Sequence, residues 1–267
     1  MKYGYYLEKN EYKCFVPYDL ADNKYINEIE EIYSNNTNEI LLHIKSVEKS
    51  LNSKIVNDFI KAEMTKEHEI KCIIEGKKYK ETNIEYNIIN YFRALKIGLD
   101  YLENNFFDEY FIRYLHSVLM GYDRVSEIRN KQNWYGKSDL KSAEFVFAPP
   151  ELLEEKLDDL IAYINNASSH TLCKAAIAHI QFESLHPFAD GNGRVGRLIM
   201  YLILYKNKVI NYPYLYLGRL FKHYVHHYHM CEMRIRNNDV WEDWFDFYFN
   251  MINRYLNMLS GGESIDD

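Results

Sequence analysis

The chain has 267 residues, a formal charge of -7 and a hydrophobic content of 47%, enough apolar sequence for a sizeable core. The acidic balance argues against a protein drawn to nucleic-acid phosphates by bulk charge, and no run of about 18 apolar residues reads as a membrane span. Cys14, Cys72, Cys173 and Cys231 lie far apart with no C-x-x-C pair, a spacing that suits reduced thiols in a cytoplasmic protein better than disulfides or zinc.

The opening "MKYGYYLEKNEYKCF" lacks the apolar centre of a signal segment. Ile40, Ile44, Val47 and Leu51 recur at helical spacing, and Ile84, Ile88, Tyr91, Phe92 and Leu95 form one face of a second helix. "DEYFIRYLHSVLM" and "ELLEEKLDDLIAYI" repeat the pattern, the latter behind Pro149-Pro150, where proline suits a helix start. Between them, "GYDRVSEIRNKQNWYGKSDLKSAEFVFAPP" is too rich in turn residues for a helix, and "AEFVF" favours a strand. It is expected to be a long loop holding a short hairpin, a length usual for functional loops. Helical patterns then follow in "LCKAAIAHIQFESL", "GRLIMYLILYK", "RLFKHYVHHYHMCEMRIR" and "WEDWFDFYFNMINRYLNML". The expected class is all-α with one small β element, the first 80 or so residues forming a helical subdomain and "SGGESIDD" a disordered tail.

The stretch from His186 to Arg197, "HPFADGNGRVGR", contains a literal G-x-G-x-x-G. A dinucleotide fingerprint needs a strand before it and an acid about 20 residues beyond. Upstream, however, Ala175, Ala176, His179, Phe182 and Glu183 are spaced as a helix, and downstream no acid occurs until Glu232. That reading fails on context.

A different chemistry fits. Pro187 disfavours helical dihedrals at His186, so a helix should end there. The apolar series Val195, Leu198, Ile199, Leu202 opens another helix, whose N-terminus sits behind Gly191 and Gly193. Unpaired N–H groups and the helix dipole favour an anion at that point. Arg194 and Arg197 can lean over the same end, an arrangement costly to bury with no acid nearby unless an anion joins it. Asp190 is a hard oxygen ligand suited to Mg²⁺ beside a polyphosphate, and His186 is suited to taking a proton near neutral pH. Base, metal ligand and anion cradle within twelve residues describe phosphoryl or nucleotidyl transfer.

These residues resemble a known family. "HPFADGNGRVGR" is similar to the Fic-domain signature H-x-F-x-[DE]-G-N-G-R-x-x-R at every specified position. "NIINYFRAL", "EIRNKQNWYG", "AEFVFAPP" and "VWEDWFDFYF" resemble further Fic segments in the same order, over roughly residues 85 to 255. The resemblance implies a Fic-type helical bundle with a β-hairpin flap: residues 1–84 an N-terminal helical region, 85–257 the Fic core and 258–267 the tail. It also implies Mg²⁺-dependent transfer of AMP from ATP to a Tyr, Thr or Ser hydroxyl of a protein. His186 would be the general base and Asp190 the Mg²⁺ ligand. Gly191, Asn192 and Gly193 would cradle the α-phosphate, and Arg194 and Arg197 would neutralise the polyphosphate. Phe188 would anchor the loop in the core, and "SAEFVF" would align the target strand by backbone pairing. Gly193 stands where the related Doc-type kinases carry lysine, which disfavours γ-phosphoryl transfer. Gly196 falls at an unspecified position and carries no role in this reading.

The family also implies a brake, a helix [ST]-x-x-x-E-[GN] whose glutamate pairs with the second arginine. "EHEIKCIIEGKKY" resembles its N-terminal form, with Glu75-Gly76 as the pair but Lys71 in place of the hydroxyl residue. Thr65 and Glu69 make half of the pattern, which Ile70 breaks; Glu75 is therefore the expected inhibitory residue. Alternative outcomes are removal of AMP from modified targets and nucleotide binding without turnover. The acceptor protein stays open, with the chain itself as a candidate; a homodimer is a candidate assembly, and neither nucleic acid nor membrane is expected. His179 and Glu183 are expected in the core or behind the site, and Trp241 and Trp244 as core aromatics. His223, His226 and His227 share a helical face without acid or thiol partners for a metal. Tyr224 or Tyr228 is the expected stacking partner of the base.

Overall fold

The computed structural model describes residues 3–9, 11–51, 53–74, 81–136, 139–166, 170–211 and 214–262. Two β-hairpins, eleven α-helices and two short 3₁₀ helices account for the elements among them. Strands β1 (Gly4–Lys9) and β2 (Tyr12–Pro17) pair antiparallel. Helices α1 (Lys24–Ser34), α2 (Thr37–Glu48), α3 (Ser53–Ile74), α4 (Glu81–Leu102) and α5 (Glu109–Met120) follow. The second hairpin joins β3 (Trp134–Gly136) to β4 (Ala143–Val146), with a bulge between Tyr135 and Gly136. Then come α6 (Leu153–Asn165), α7 (Thr171–Leu185), α8 (Asn192–Lys206), α9 (Gly218–His223), α10 (Val225–Asn238) and α11 (Glu242–Leu259).

Helix α7 is the hub. Every residue from Thr171 to Leu185 is buried, as expected of a helix that is apolar nearly all round. It packs against α6, α8, α11, α1 and β2. Helix α5 starts on Asp108, whose carboxylate accepts from Phe111 N–H at 2.7 Å, and ends on Gly121 in the left-handed conformation, φ 70°; both are standard helix signals. Trp241 and Trp244 lie in the core, 2% and 0% exposed.

The N-terminal hairpin departs from the sequence expectation of helices throughout the first 80 residues. Its strands are short, and their burial depends on partners far along the chain. Tyr3 donates its hydroxyl to Gln181 Oε1 at 2.7 Å, and the Phe15 ring packs 6.0 Å from Phe145 on β4. Such pairings leave a weak local signal. The N-terminal residues join the same hydrophobic core as the later helices, from Tyr3 and Phe15 through Ile44 and Ile60 to Trp244.

Candidate active site

The end of α7 and the start of α8 build the site. Helix α7 stops at Leu185, and His186 adopts a left-handed conformation, φ 51°, as its C-cap. Pro187 excludes helical continuation there. Arg129 ties this corner together: its guanidinium donates to the carbonyls of His186 at 2.7 Å and Leu185 at 3.1 Å. Phe188 is 1% exposed and stacks on His116, ring centres 3.9 Å apart. His116 also contacts the Asp190 carbonyl through Nε2 at 2.9 Å. The loop is thereby pinned from α5, a contact the sequence pattern did not signal.

Helix α8 begins two residues earlier than the glycine pattern suggested, at Asn192, with Gly191 as N-cap at φ 80°. By helix geometry the N–H groups of Asn192 and Gly193 have no intrahelical partner, so they suit an anion. The Asn192 side chain braces the loop, accepting from Phe188 N–H at 2.9 Å and donating to Phe188 C=O at 2.8 Å. Asp190 lies exposed at the rim, one carboxylate oxygen accepting from Gly191 N–H at 2.6 Å.

His186, Asp190, Gly191, Asn192, Gly193, Arg194 and Arg197 all line one cavity of about 810 Å³. Apolar and aromatic side chains line it too, including Ile84, Tyr91, Leu119, Phe221, Val225 and Tyr228. That volume and mixed lining suit a nucleotide-sized ligand with charged and flat apolar parts. Tyr228 lines the cavity and contacts His179 Nε2 at 3.1 Å through its hydroxyl. Tyr224 is not among the lining residues and accepts from Arg254 instead, at 2.7 Å. Among the described residues no group of three His, Cys, Asp or Glu side chains could hold a metal, and His223, His226 and His227 form no such site.

Electrostatics separate the roles. Asn133 Nδ2 and Asn192 Nδ2 reach His186 Nδ1 at 3.0 and 3.1 Å. Two amide donors there favour the neutral tautomer whose lone pair is on Nδ1. Burial, with Arg129 and Arg236 nearby, pushes the His186 pKa down to about 3. Burial pushes Glu183 up to about 8, with Glu232 adding to the rise. Glu232 itself, although buried, is held down at about 2 by Arg236 and a hydrogen bond to His229. Burial would lower Arg197, but facing Glu67 and its other neighbours raise it above the ordinary arginine value.

Glu67 was not singled out in the sequence. Its Oε1 lies 3.5 Å from Arg197 Nη2, and its other oxygen accepts from the Tyr216 hydroxyl. This supplies the acid that the arginine pair lacks when read from the motif alone. A second, deeply buried pair, Glu63 with Arg219 at 3.0 Å, joins α3 to α9. Glu75, the expected inhibitory residue, lies outside the described residues. Arg194 lines the cavity as well, its Nη2 lying 2.9 Å from Met120 Sδ.

Gly196 does have a structural role. A Cβ there would fall 2.8 Å from Glu183 Oε1 and 3.2 Å from His179 Nδ1. Glycine is what lets α8 close onto the buried polar groups of α7.

Comparisons with known proteins agree with this geometry. The Fic/DOC family profile matches residues 106–204. A probable protein adenylyltransferase of Aquifex aeolicus is 33% identical over 97 residues, 35% of this chain and 30% of that protein. The protein adenylyltransferase fic-1 of Caenorhabditis elegans is 30% identical over 141 residues, 51% of this chain and 26% of that protein. The chain thus spans about a third or less of the length of these relatives. Among solved structures, a Fic domain containing signaling protein from Bacteroides thetaiotaomicron superposes with TM-score 0.61 at 18% identity, covering 85% of this chain and 98% of that one. Residues 134–508 of the C. elegans Fic-1 give TM-score 0.63 at 17% identity, covering 89% and 73%. The signature loop, the cavity and the helical fold thus agree with the match of residues 106–204 to the Fic/DOC family.

Proposed function

We propose that the cavity binds ATP and transfers its AMP to a hydroxyl side chain of a protein segment, releasing pyrophosphate. The observation that carries this is the shared wall of His186, the α8 N-terminus and Arg197. The acceptor oxygen attacks the α-phosphorus, its proton passes to His186, and the bond to the β-phosphate breaks with its electrons on pyrophosphate. His186 is neutral at pH 7, as a base must be, and the incoming triphosphate's negative charge raises its proton affinity. The lone pair on Nδ1 is the basic site, and the acceptor hydroxyl takes it by displacing the Asn133 amide. The unpaired N–H groups of Asn192 and Gly193 hold the α-phosphate, while Arg194 and Arg197 balance charge on the leaving group. Positioning and charge neutralisation suffice for such a transfer.

Asp190 fits a Mg²⁺ role: one oxygen is fixed by Gly191 N–H and the exposed carboxylate keeps further lone pairs. One protein carboxylate plus phosphate oxygens and water is a usual Mg²⁺ set. When bound, the ion would neutralise and orient the phosphates.

Glu67 supports an autoinhibited resting state. Arg197 must leave Glu67 before its guanidinium can hold a triphosphate, and a carboxylate beside that phosphate would repel it. Glu67, which reaches Arg197, joins Glu75 as a candidate for the inhibitory role, and comparing Glu67→Gly with Glu75→Gly assigns the brake. The β3–β4 hairpin is the flap along which the target strand would pair. ATP labelled at the α-phosphate should label protein, and ATP labelled at the γ-phosphate should not. The reverse pattern would make the enzyme a kinase and sink this reading.

A further inference from the structure

The imidazole of His186 is held by more than hydrogen bonds. Phe147, just beyond β4, stacks on it with ring centres 4.0 Å apart and planes 16° from parallel. Its backbone is fixed from both sides: the Phe147 N–H donates to Asn133 C=O at 3.2 Å, and Gln132 Nε2 donates to Phe147 C=O at 2.8 Å. The Phe147 ring meets Phe145 edge-on at 5.1 Å. Phe145 in turn lies between Phe15 of β2, at 6.0 Å, and the Arg236 guanidinium, 4.1 Å above its ring. Arg236 is anchored by Glu232 at 3.1 Å and Ser184 at 3.2 Å. A continuous row of rings therefore runs from the N-terminal hairpin to the catalytic imidazole.

We propose that Phe147 is a positioning residue for His186, its ring setting the plane in which Nδ1 meets the acceptor hydroxyl, and that β2 supports this through Phe15 and Phe145. The inference rests on His186 being the base of AMP transfer. Stacking restricts ring rotation, and a base must stay within a fraction of an ångström and some 10–20° of productive geometry. The two asparagine amides contact Nδ1, and that of Asn192 also lies 3.3 Å from Nε2, but such point contacts hold the ring plane less firmly than a stacked face. Phe147 supplies the missing restraint. It also covers one face of the imidazole, whose charged neighbours are Arg129 from the loop before β3, Arg236 and Glu232 from α10, and Asp190 from the loop before α8.

Phe147→Leu keeps an apolar group but removes the flat face, and Phe147→Tyr restores it. In AMP-transfer kinetics with Mg²⁺-ATP, Phe147→Leu should lower kcat about tenfold with the KM for ATP within about twofold, since misplacing a base by a little is costly while ATP contacts are untouched. Phe147→Tyr should recover most of kcat. Phe15→Ala, remote from the cavity, should lower kcat in the same manner but less. NMR titration of the histidine ring protons, with His186 assigned by its loss in His186→Gln, reads the same restraint without turnover. The wild-type His186 signals should not titrate above about pH 5, whereas those of Phe147→Leu should, as water reaches the exposed face. Wild-type kcat in Phe147→Leu would overturn the proposal, as would a loss that Phe147→Tyr fails to recover or an equal rise in KM. If the wild type transfers no AMP at all, the functional reading fails. The NMR arm then decides alone: an unmoved His186 titration in Phe147→Leu overturns the positioning role.

Discussion

At the scale of single residues, close approach governs the site as much as charge does. Gly196 has no room for a methyl group, with Glu183 Oε1 at 2.8 Å and His179 Nδ1 at 3.2 Å from where a Cβ would sit. Both neighbours are themselves buried, so neither can swing into solvent. Gly196→Ala should therefore destabilise the fold by about 1–3 kcal/mol, read as a fall of several degrees in Tm by thermal denaturation. An unchanged Tm would show that α7 and α8 can part without cost. The motif made His186, Asp190 and the two arginines legible, because their chemistry is carried within twelve consecutive residues. Gly196 was not legible, since its constraint comes from a carboxyl thirteen positions earlier on another helix. Glu67 was hidden for the same reason: it meets Arg197 only through tertiary packing.

At the scale of elements, the proposed resting state depends on α3. It reaches the cavity through Glu67 and is held to α9 by the buried Glu63–Arg219 pair, whose side chains are 3% and 5% exposed. Breaking a buried pair by removing one partner is strongly unfavourable, so Arg219→Met should loosen α3 without altering a cavity-lining residue. Incorporation of α-labelled ATP should rise several-fold in this variant. Lower or unchanged incorporation in a folded Arg219→Met protein would argue that α3 does not restrain the reaction. The helices themselves were readable from apolar spacing, as with Ile40, Ile44 and Val47 on α2, all buried. The β3–β4 hairpin was foreshadowed by "AEFVF" among turn residues. The β1–β2 hairpin was not, because what secures it, Tyr3 on Gln181 and Phe15 on Phe145, lies more than a hundred residues away.

At the scale of the whole molecule, buried titratable groups link the site to stability. Burial lowers His179 to about 4 and His186 to about 3, whereas unfolded imidazoles titrate near 6.5. Below about pH 6.5 the unfolded chain binds protons that the folded one refuses, so stability falls as pH drops toward those values. Glu183 has the opposite sign: with its pKa raised to about 8, the folded chain keeps a proton that the unfolded one releases above about 4.5. Its contribution is fully present below that unfolded value and is lost as pH rises toward 8. Together these groups predict maximal Tm near about pH 6.5, with a decline on the alkaline side that Glu183→Gln flattens. A Tm that keeps rising to pH 8 in the wild type would contradict this. The most direct test of the central claim is intact-protein mass spectrometry of the wild type, Glu67→Gly, and Glu67→Gly combined with His186→Ala, each incubated with Mg²⁺-ATP and with protein substrate supplied by the chain itself and by a cell lysate. The account predicts AMP on protein at a higher level with Glu67→Gly than with the wild type, and none once His186 is replaced. Equal labelling of wild type and Glu67→Gly, or labelling that survives His186→Ala, would contradict it.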